Sequence, residues 1–546
     1  VKTINAGDTL TVLGALTLDD GSIDTGTVDT KSALTHTATF DGGSGTISIT
    51  GAAVRTIDLI GGGQMPNVIL NAANVTMNGP LVGTTVTFDG GLTVQDGAFV
   101  GDAGDLNLNS FFALEGGTFT APTGTLFVAG DWTHTLGGTF THNAGTVNFD
   151  GGTAAIDVAA TETFNDLTFS AGTKTISAGD TLITLGLLNL VNGNIHTGTL
   201  EARGDVTFGS SLDATTAPLV FAGSVANQIF DPGPTLNAFD SDITVNKAAG
   251  KVTLAAALGM NDAGQDLILV SGELDLAGFN FTQTGGGSVL DLSGGTLTQG
   301  TGAVTVSSFN QSGGVYAGGS GALDVNGAFD LSGGSFTAPG AGLAFTVSGN
   351  WSNTAGGGFN PNGGEVVLDG AGQTISGSTT FNDLTKITAG PDTLFFGAGS
   401  TQTVLGILTL QGTADDFLML RSTSPGSQWM IDPQGARAIL YVDVQDSVNT
   451  HATAIDCLSG CIDSGNNVNW DFPGTFGSLV FSEQSIFNSQ LFQPHFSPFN
   501  DTQTFLGLLQ GRGLASEYAS TPNGQVDSGP FDELPWVLID RGWLKR

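Results

Sequence analysis

Charge is what this sequence has least of. Charged residues make up 12% of its 546 positions, about half the share of an ordinary globular domain. Lysine and arginine number 14 against 50 acidic residues, a net charge of -36. That excess repels phosphate backbones and anionic membrane surfaces, so nucleic acid is not an expected partner. An acidic, lysine-poor exterior also suits a large secreted protein that must stay soluble. Long apolar runs are missing too: none approaches the ~18 residues of a membrane span, which argues against membrane insertion. No positively charged, apolar leader stands at residue 1, and any secretion signal is expected to have been removed.

Cysteine is nearly absent. Cys457 and Cys461 stand four apart in "DCLSGCID" and read as one small disulfide-closed loop formed in an oxidising compartment. A zinc site would need two more ligands, and the nearby His451 and Asp463 match no common spacing. No cofactor is expected. Proline is sparse, 17 residues against 84 glycines, and both are spread evenly, as in one long uniform object rather than separate cores on linkers.

Catalytic signatures are missing as well. There is no Ser-His-Asp spacing, phosphate-cradling loop or nucleotide fingerprint. The adjacent carboxylates Asp19/Asp20 and Asp415/Asp416 would point to opposite faces of a strand and read as turns. Arg55, Arg203, Arg421 and Arg437 are scattered, and the histidines at 36, 134, 142, 196, 451 and 495 are isolated in sequence. The chain does not read as an enzyme.

What is present is repetition. "GGTFTAPTGTLFVAGDW" at 116–132 recurs as "GGSFTAPGAGLAFTVSGNW" at 333–351, and each is followed by "TFNDLT", at 163–168 and 380–385. Phe119 thus maps to Phe336, Trp132 to Trp351 and Phe164 to Phe381. A shorter rhythm runs inside these blocks: a glycine, one residue, then a large apolar residue, as in Gly97/Phe99, Gly117/Phe119 and Gly138/Phe140. The later block has Gly272/Leu274, Gly295/Leu297, Gly314/Tyr316 and Gly334/Phe336. Between these marks apolar and polar residues alternate, which is the period of half-buried strands.

A recurrence of roughly 20 residues fits three short strands and three turns, one coil of a parallel β-helix, and is half of what a propeller blade needs. The expected fold is all-β: a single long parallel β-helix over 1–472, right-handed by the general preference for such crossovers. A non-repetitive, Phe-rich tail follows over 473–546. The "FDGG" pairs at 40–43, 88–91 and 149–152 occur singly rather than in the tandem that a calcium roll requires, and read as turns.

Phrases such as "GGTFTAPTGTLFVAGDW", "TFNDLTF" and "CIDSGNNVNWDF" resemble those of large secreted bacterial surface proteins, the filamentous-haemagglutinin-like and autotransporter-passenger-like β-solenoids. The resemblance is compositional and covers roughly 1–472. It implies a structural or adhesive role at the cell surface or outside the cell.

The opening "VKTINAGDTLTVLGALTL" matches only the later part of a unit written out whole at 162–190 as "ETFNDLTFSAGTKTISAGDTLITLGLLNL". A solenoid end exposes unpaired backbone and an apolar cross-section unless something covers it. Val1, Ile4 and Leu10 at that end, and Phe481, Phe487, Phe492, Phe496, Phe499, Phe505, Trp536 and Trp543 in the tail, are therefore the assembly candidates. The expected partners are copies of the chain joined head to tail as a filament or surface layer. The rival readings are an adhesin that meets cell-surface polysaccharide and a polysaccharide-degrading β-helix. Carboxylates clustered on one sheet beside an arginine or lysine would favour the last.

Overall fold

A computed structural model describes residues 4–472, apart from 60, 235–238, 355–356 and 458. They belong to one compact unit, Val1–Pro473; a second unit, Gly474–Arg546, lies outside the described residues. Among the described residues all the regular elements are strands, and they form a parallel β-solenoid of about 21 residues per turn.

One coil consists of Phe112–Leu114, Thr118–Thr120 and Thr125–Val128, and the next of Trp132–His134, Thr139–Thr141 and Thr146–Phe149. Each strand pairs in parallel with its counterpart one coil on, in the registers Phe112↔Trp132, Phe119↔Phe140 and Leu126↔Val147. Three walls result. Alternation along the strands sends one set of side chains inward, where Phe112, Phe119, Leu126 and Trp132 are all 0% exposed. At ~4.8 Å per coil, about 21 coils make a stack on the order of 100 Å long.

The glycine rhythm has a steric cause. Gly97, Gly117 and Gly138, and likewise Gly272, Gly295, Gly314 and Gly334, all sit at positive φ, a conformation that residues with a Cβ adopt at a cost. Each turns the chain into the strand whose inward residue follows two places later. A Cβ on Gly314 would also lie 2.5 Å from the carbonyl oxygens of Gly294 and Gly295 one coil below. Only glycine fits a corner stacked on a corner.

Inward rings stack in ladders. Phe99 lies on Phe119 at 4.7 Å between centroids, and Tyr316 on Phe336 at 4.6 Å. Such pairs contribute ~0.5–1.5 kcal/mol each beyond their buried area. The duplicated blocks reproduce one another in detail. Trp132 meets Phe140 edge-on at 5.1 Å and 86°, and Trp351 meets Phe359 at 5.1 Å and 88°. Phe164 and Phe381 close the two clusters, at 5.4 Å from Trp132 and 5.1 Å from Trp351.

The walls are not all continuous. Thr139–Thr141 pairs back to Thr118–Thr120, while Thr161–Phe164 pairs only forward, to Thr181–Thr184. One wall is therefore interrupted between consecutive coils. The second block has the same interruption between Gly358–Asn360 and Thr379–Phe381.

Candidate functional site

At the N-terminal rung an inward ladder runs out of cover. Leu10 pairs with Val28, Val28 with Ile47 and Ile47 with Val68. Val28, Ile47 and Val68 are 4%, 0% and 1% exposed, whereas Leu10 is 54% exposed and Leu13 79%. Thr9–Val12 has a ladder partner on one side only, Thr27–Thr30, among the described residues. Ile4, Val12 and Leu16 pack on the edge of the core, partly buried. Two assembly candidates, Ile4 and Leu10, thus sit at an apolar rung whose outer edge has no ladder partner among the described residues. Val1, Phe481, Phe487, Phe492, Phe496, Phe499, Phe505, Trp536 and Trp543 lie outside the described residues.

At the other end Cys457 is bonded to Cys461, with 6.2 Å between Cα atoms. Cys457 is fully buried against the last coils. Its loop docks where Ser459 bridges to Leu440 and Tyr441 N–H donates to the Ser459 carbonyl at 2.9 Å. The nearby His451 is engaged elsewhere, with its Nδ1 2.8 Å from the Arg437 guanidinium.

No protein-family model, curated protein or solved structure matches this chain. The side chains themselves must carry the reading.

Three carboxylates gather on one corner of successive coils. The Asp240 carboxyl lies beside that of Asp262, with Asp213 close enough to repel it. Burial and these two neighbours push the Asp240 carboxyl up to about 6. Asp266 on the same corner is also raised, first by burial and then by Asp242 and Asp291. The sequence hides this grouping because its members come one per coil, while only adjacent carboxylates are visible by eye. No arginine or lysine acts on Asp240, and the described residues contain no group of three or more His, Cys, Asp or Glu arranged to hold a metal ion. The sequence-adjacent pairs stay apart from any cluster: Asp20 accepts the Gly21 N–H at 2.8 Å, and Asp416 closes a bend with Thr413.

The isolated histidines are a correction. His134 Nδ1 is 2.6 Å from Glu162 Oε2, and the side chains are 17% and 7% exposed. Burial pushes the Glu162 carboxyl above its ordinary range against the pull of His134. The pair spans two coils at the interrupted wall, and a separation of 28 positions in the sequence conceals it. His36 is fully buried with neither ring nitrogen bonded, so burial drives its pKa down.

The scarce lysines are a surprise of another kind. Lys174, Lys247 and Lys386 are each 1% exposed. Lys174 Nζ donates to the carbonyls of Gly151, Gly152 and Ala171 at 2.9, 2.8 and 2.7 Å, filling the inside of an "FDGG" corner. Lys386 reaches the Gly370 carbonyl at the equivalent corner, Gln373 Oε1 at 3.0 Å and Asp392 Oδ2 at 2.7 Å. Lys247 donates to Gln228 Oε1 at 2.8 Å. These cations satisfy corner carbonyls that the ladders leave over. The arginines also serve locally: Arg203 pairs with Glu201 and Arg421 with Asp443, each at 2.6 Å.

Proposed function

We propose that the chain is a secreted structural protein of the bacterial surface-solenoid kind, which assembles end to end into an extracellular filament or surface layer. The observation that supports this reading is the solenoid itself, about 21 turns in which each coil offers the next the same backbone edge and inward ladder, as in Leu10, Val28, Ile47 and Val68. Another rung laid on Thr9–Val12 would pair its outer backbone edge. It would also bury Leu10, worth ~1.5–3 kcal/mol for one such side chain. The Ser, Thr, Asn and Asp facing outward along the walls suit a solvated shaft, and the disulfide suits an oxidising exterior. The occupant of that rung is taken to be a second copy, since each copy offers parallel rungs of the same spacing. Such a contact repeats and gives an open polymer unless it closes into a ring.

Electron microscopy and light scattering of the full chain, titrated in concentration, test the proposal. Concentration-dependent linear particles are expected, and Leu10→Glu should abolish them while leaving the circular dichroism unchanged. Monodisperse monomers at high concentration would overturn it.

A further inference from the structure

Where the two walls are interrupted, side-chain ties stand in for the missing ladder between consecutive coils, and the two copies of the block differ in which side chains do so. In the first copy the tie is the His134–Glu162 hydrogen bond at 2.6 Å, from one coil to the next. The Trp132 N–H beside it is left without a well-formed hydrogen bond. The repeat places Asn353 where the first copy has His134, and Thr379 where it has Glu162. There the tie is neutral: Trp351 Nε1 donates to Thr379 Oγ1 at 3.1 Å, and Asn353 Nδ2 to the Ser378 carbonyl at 3.5 Å.

The backbone differs in the same sense. The residue two before the tie is Gly377 in the second copy, at φ 78°, and Ala160 in the first, at φ 76°. Ala160 N–H bonds back to the Val158 carbonyl at 2.9 Å, a three-residue turn centred on Ala159, so the positive φ belongs to the residue that closes the turn. The second copy keeps the glycine this conformation favours; the first holds an alanine in it, next to a titratable pair.

We propose that the interruption around 134–162 is a pH-sensitive joint in the wall, closed by the His134–Glu162 tie and loosened as that tie loses its protons, whereas the joint around 353–379 is indifferent to pH. The sign follows from Glu162. Its carboxyl, buried first of all and only partly compensated by His134, binds a proton more readily folded than unfolded. Its contribution to closure is therefore complete below the unfolded value and is lost as pH rises through the folded one. Once Glu162 is ionised, the joint holds a buried carboxylate whose desolvation opposes closure. The other titratable groups on the surrounding elements are Asp131, Asp157, His142 and Asp180. Asp131 Oδ1 accepts the Ala155 N–H at 2.7 Å and Asp180 Oδ2 the Val158 N–H at 2.9 Å. Asp157 lies on the strand paired with Thr133, and His142 Nδ1 accepts the Ala144 N–H at 3.1 Å. His134 is the one charged group that acts on Glu162.

Hydrogen exchange resolved by mass spectrometry on the full chain tests this, since the second joint is an internal control for the intrinsic pH dependence of exchange. From pH 4 upward to pH 8, peptides covering 158–165 should lose several-fold more protection than those covering 375–382, because Glu162 is raised above its ordinary value and must give up its proton within that range. The double variant His134→Asn, Glu162→Thr, which copies the second joint, should bring the two slopes together. Glu162→Gln, which keeps the shape and removes the charge, should do the same. Equal slopes in the unaltered protein, or a difference that survives Glu162→Gln, would overturn the proposal.

Discussion

Lys386 shows most plainly how a residue type rare in the chain is spent. Its ammonium, 1% exposed, is held by Asp392, Gln373 and the Gly370 carbonyl. Burial alone would raise the Asp392 carboxyl, but the Gly372 N–H and Lys386 outweigh it and hold the carboxyl below its ordinary range. Asp392 therefore contributes stability that is present above its unfolded value and lost as pH falls through the folded one. Lys386→Met should cost about 3–5 kcal/mol, because it leaves a buried carboxylate with no cation. It should also reverse the local trend: protection of 383–396 falls with acid in the unaltered protein and should rise with acid in the variant, as read by hydrogen exchange at pH 7 and pH 3. Composition conceals this, since lysine reads as a solvated residue. Period two does reveal it at one place: in "TKTI", Lys174 shares its strand face with Ile176, and both are buried.

At the scale of elements, the sequence states the rung better than the wall. The Gly-x-aromatic marks locate the corners and inward residues correctly because stacked corners leave no room for a Cβ, a constraint each coil meets with its own glycine. The duplicated phrases locate the aromatic clusters for the same local reason. Coil length is less legible: one register step carries Thr9 to Thr27 and another Leu394 to Leu420, because corner loops absorb insertions without disturbing the ladder. The Asp213, Asp240 and Asp262 corner and the His134–Glu162 tie were illegible, since each depends on which residues a whole coil brings into line. The clusters themselves should fail locally. Trp351→Ala should cost about 3–5 kcal/mol, and stability in a stacked array is a sum over neighbours. Lost protection should therefore concentrate in coils spanning 329–381 and leave 112–164 unchanged, a contrast that exchange on the variant would display directly.

At the scale of the molecule, a net charge of -36 works against both compaction and association, because like charges on stacked coils and on neighbouring copies repel. Raising ionic strength from 0.01 to 0.15 M shortens the screening length from about 30 to 8 Å. The melting temperature should then rise by a few degrees, and end-to-end growth should begin at lower protein concentration. Calorimetry and light scattering over that range check both; growth that weakens with salt would point to charge pairing at the rung in place of apolar contact.

The two interruptions do not share a wall. The wall that starts at Thr161–Phe164 runs on through Thr181–Thr184, Thr199–Ala202, Leu219–Phe221 and Ile243–Leu254. It continues through Leu267–Asp275, Leu290–Leu292, Phe309–Gln311 and Phe329–Leu331 to Trp351–Asn353. It therefore carries the second tryptophan, although the first tryptophan stands on the wall before it. Each cassette is wound one side further around the axis than its predecessor. Seams laid down by further duplication would spiral instead of lining up, so a shaft grown this way has no weak side along which to fold.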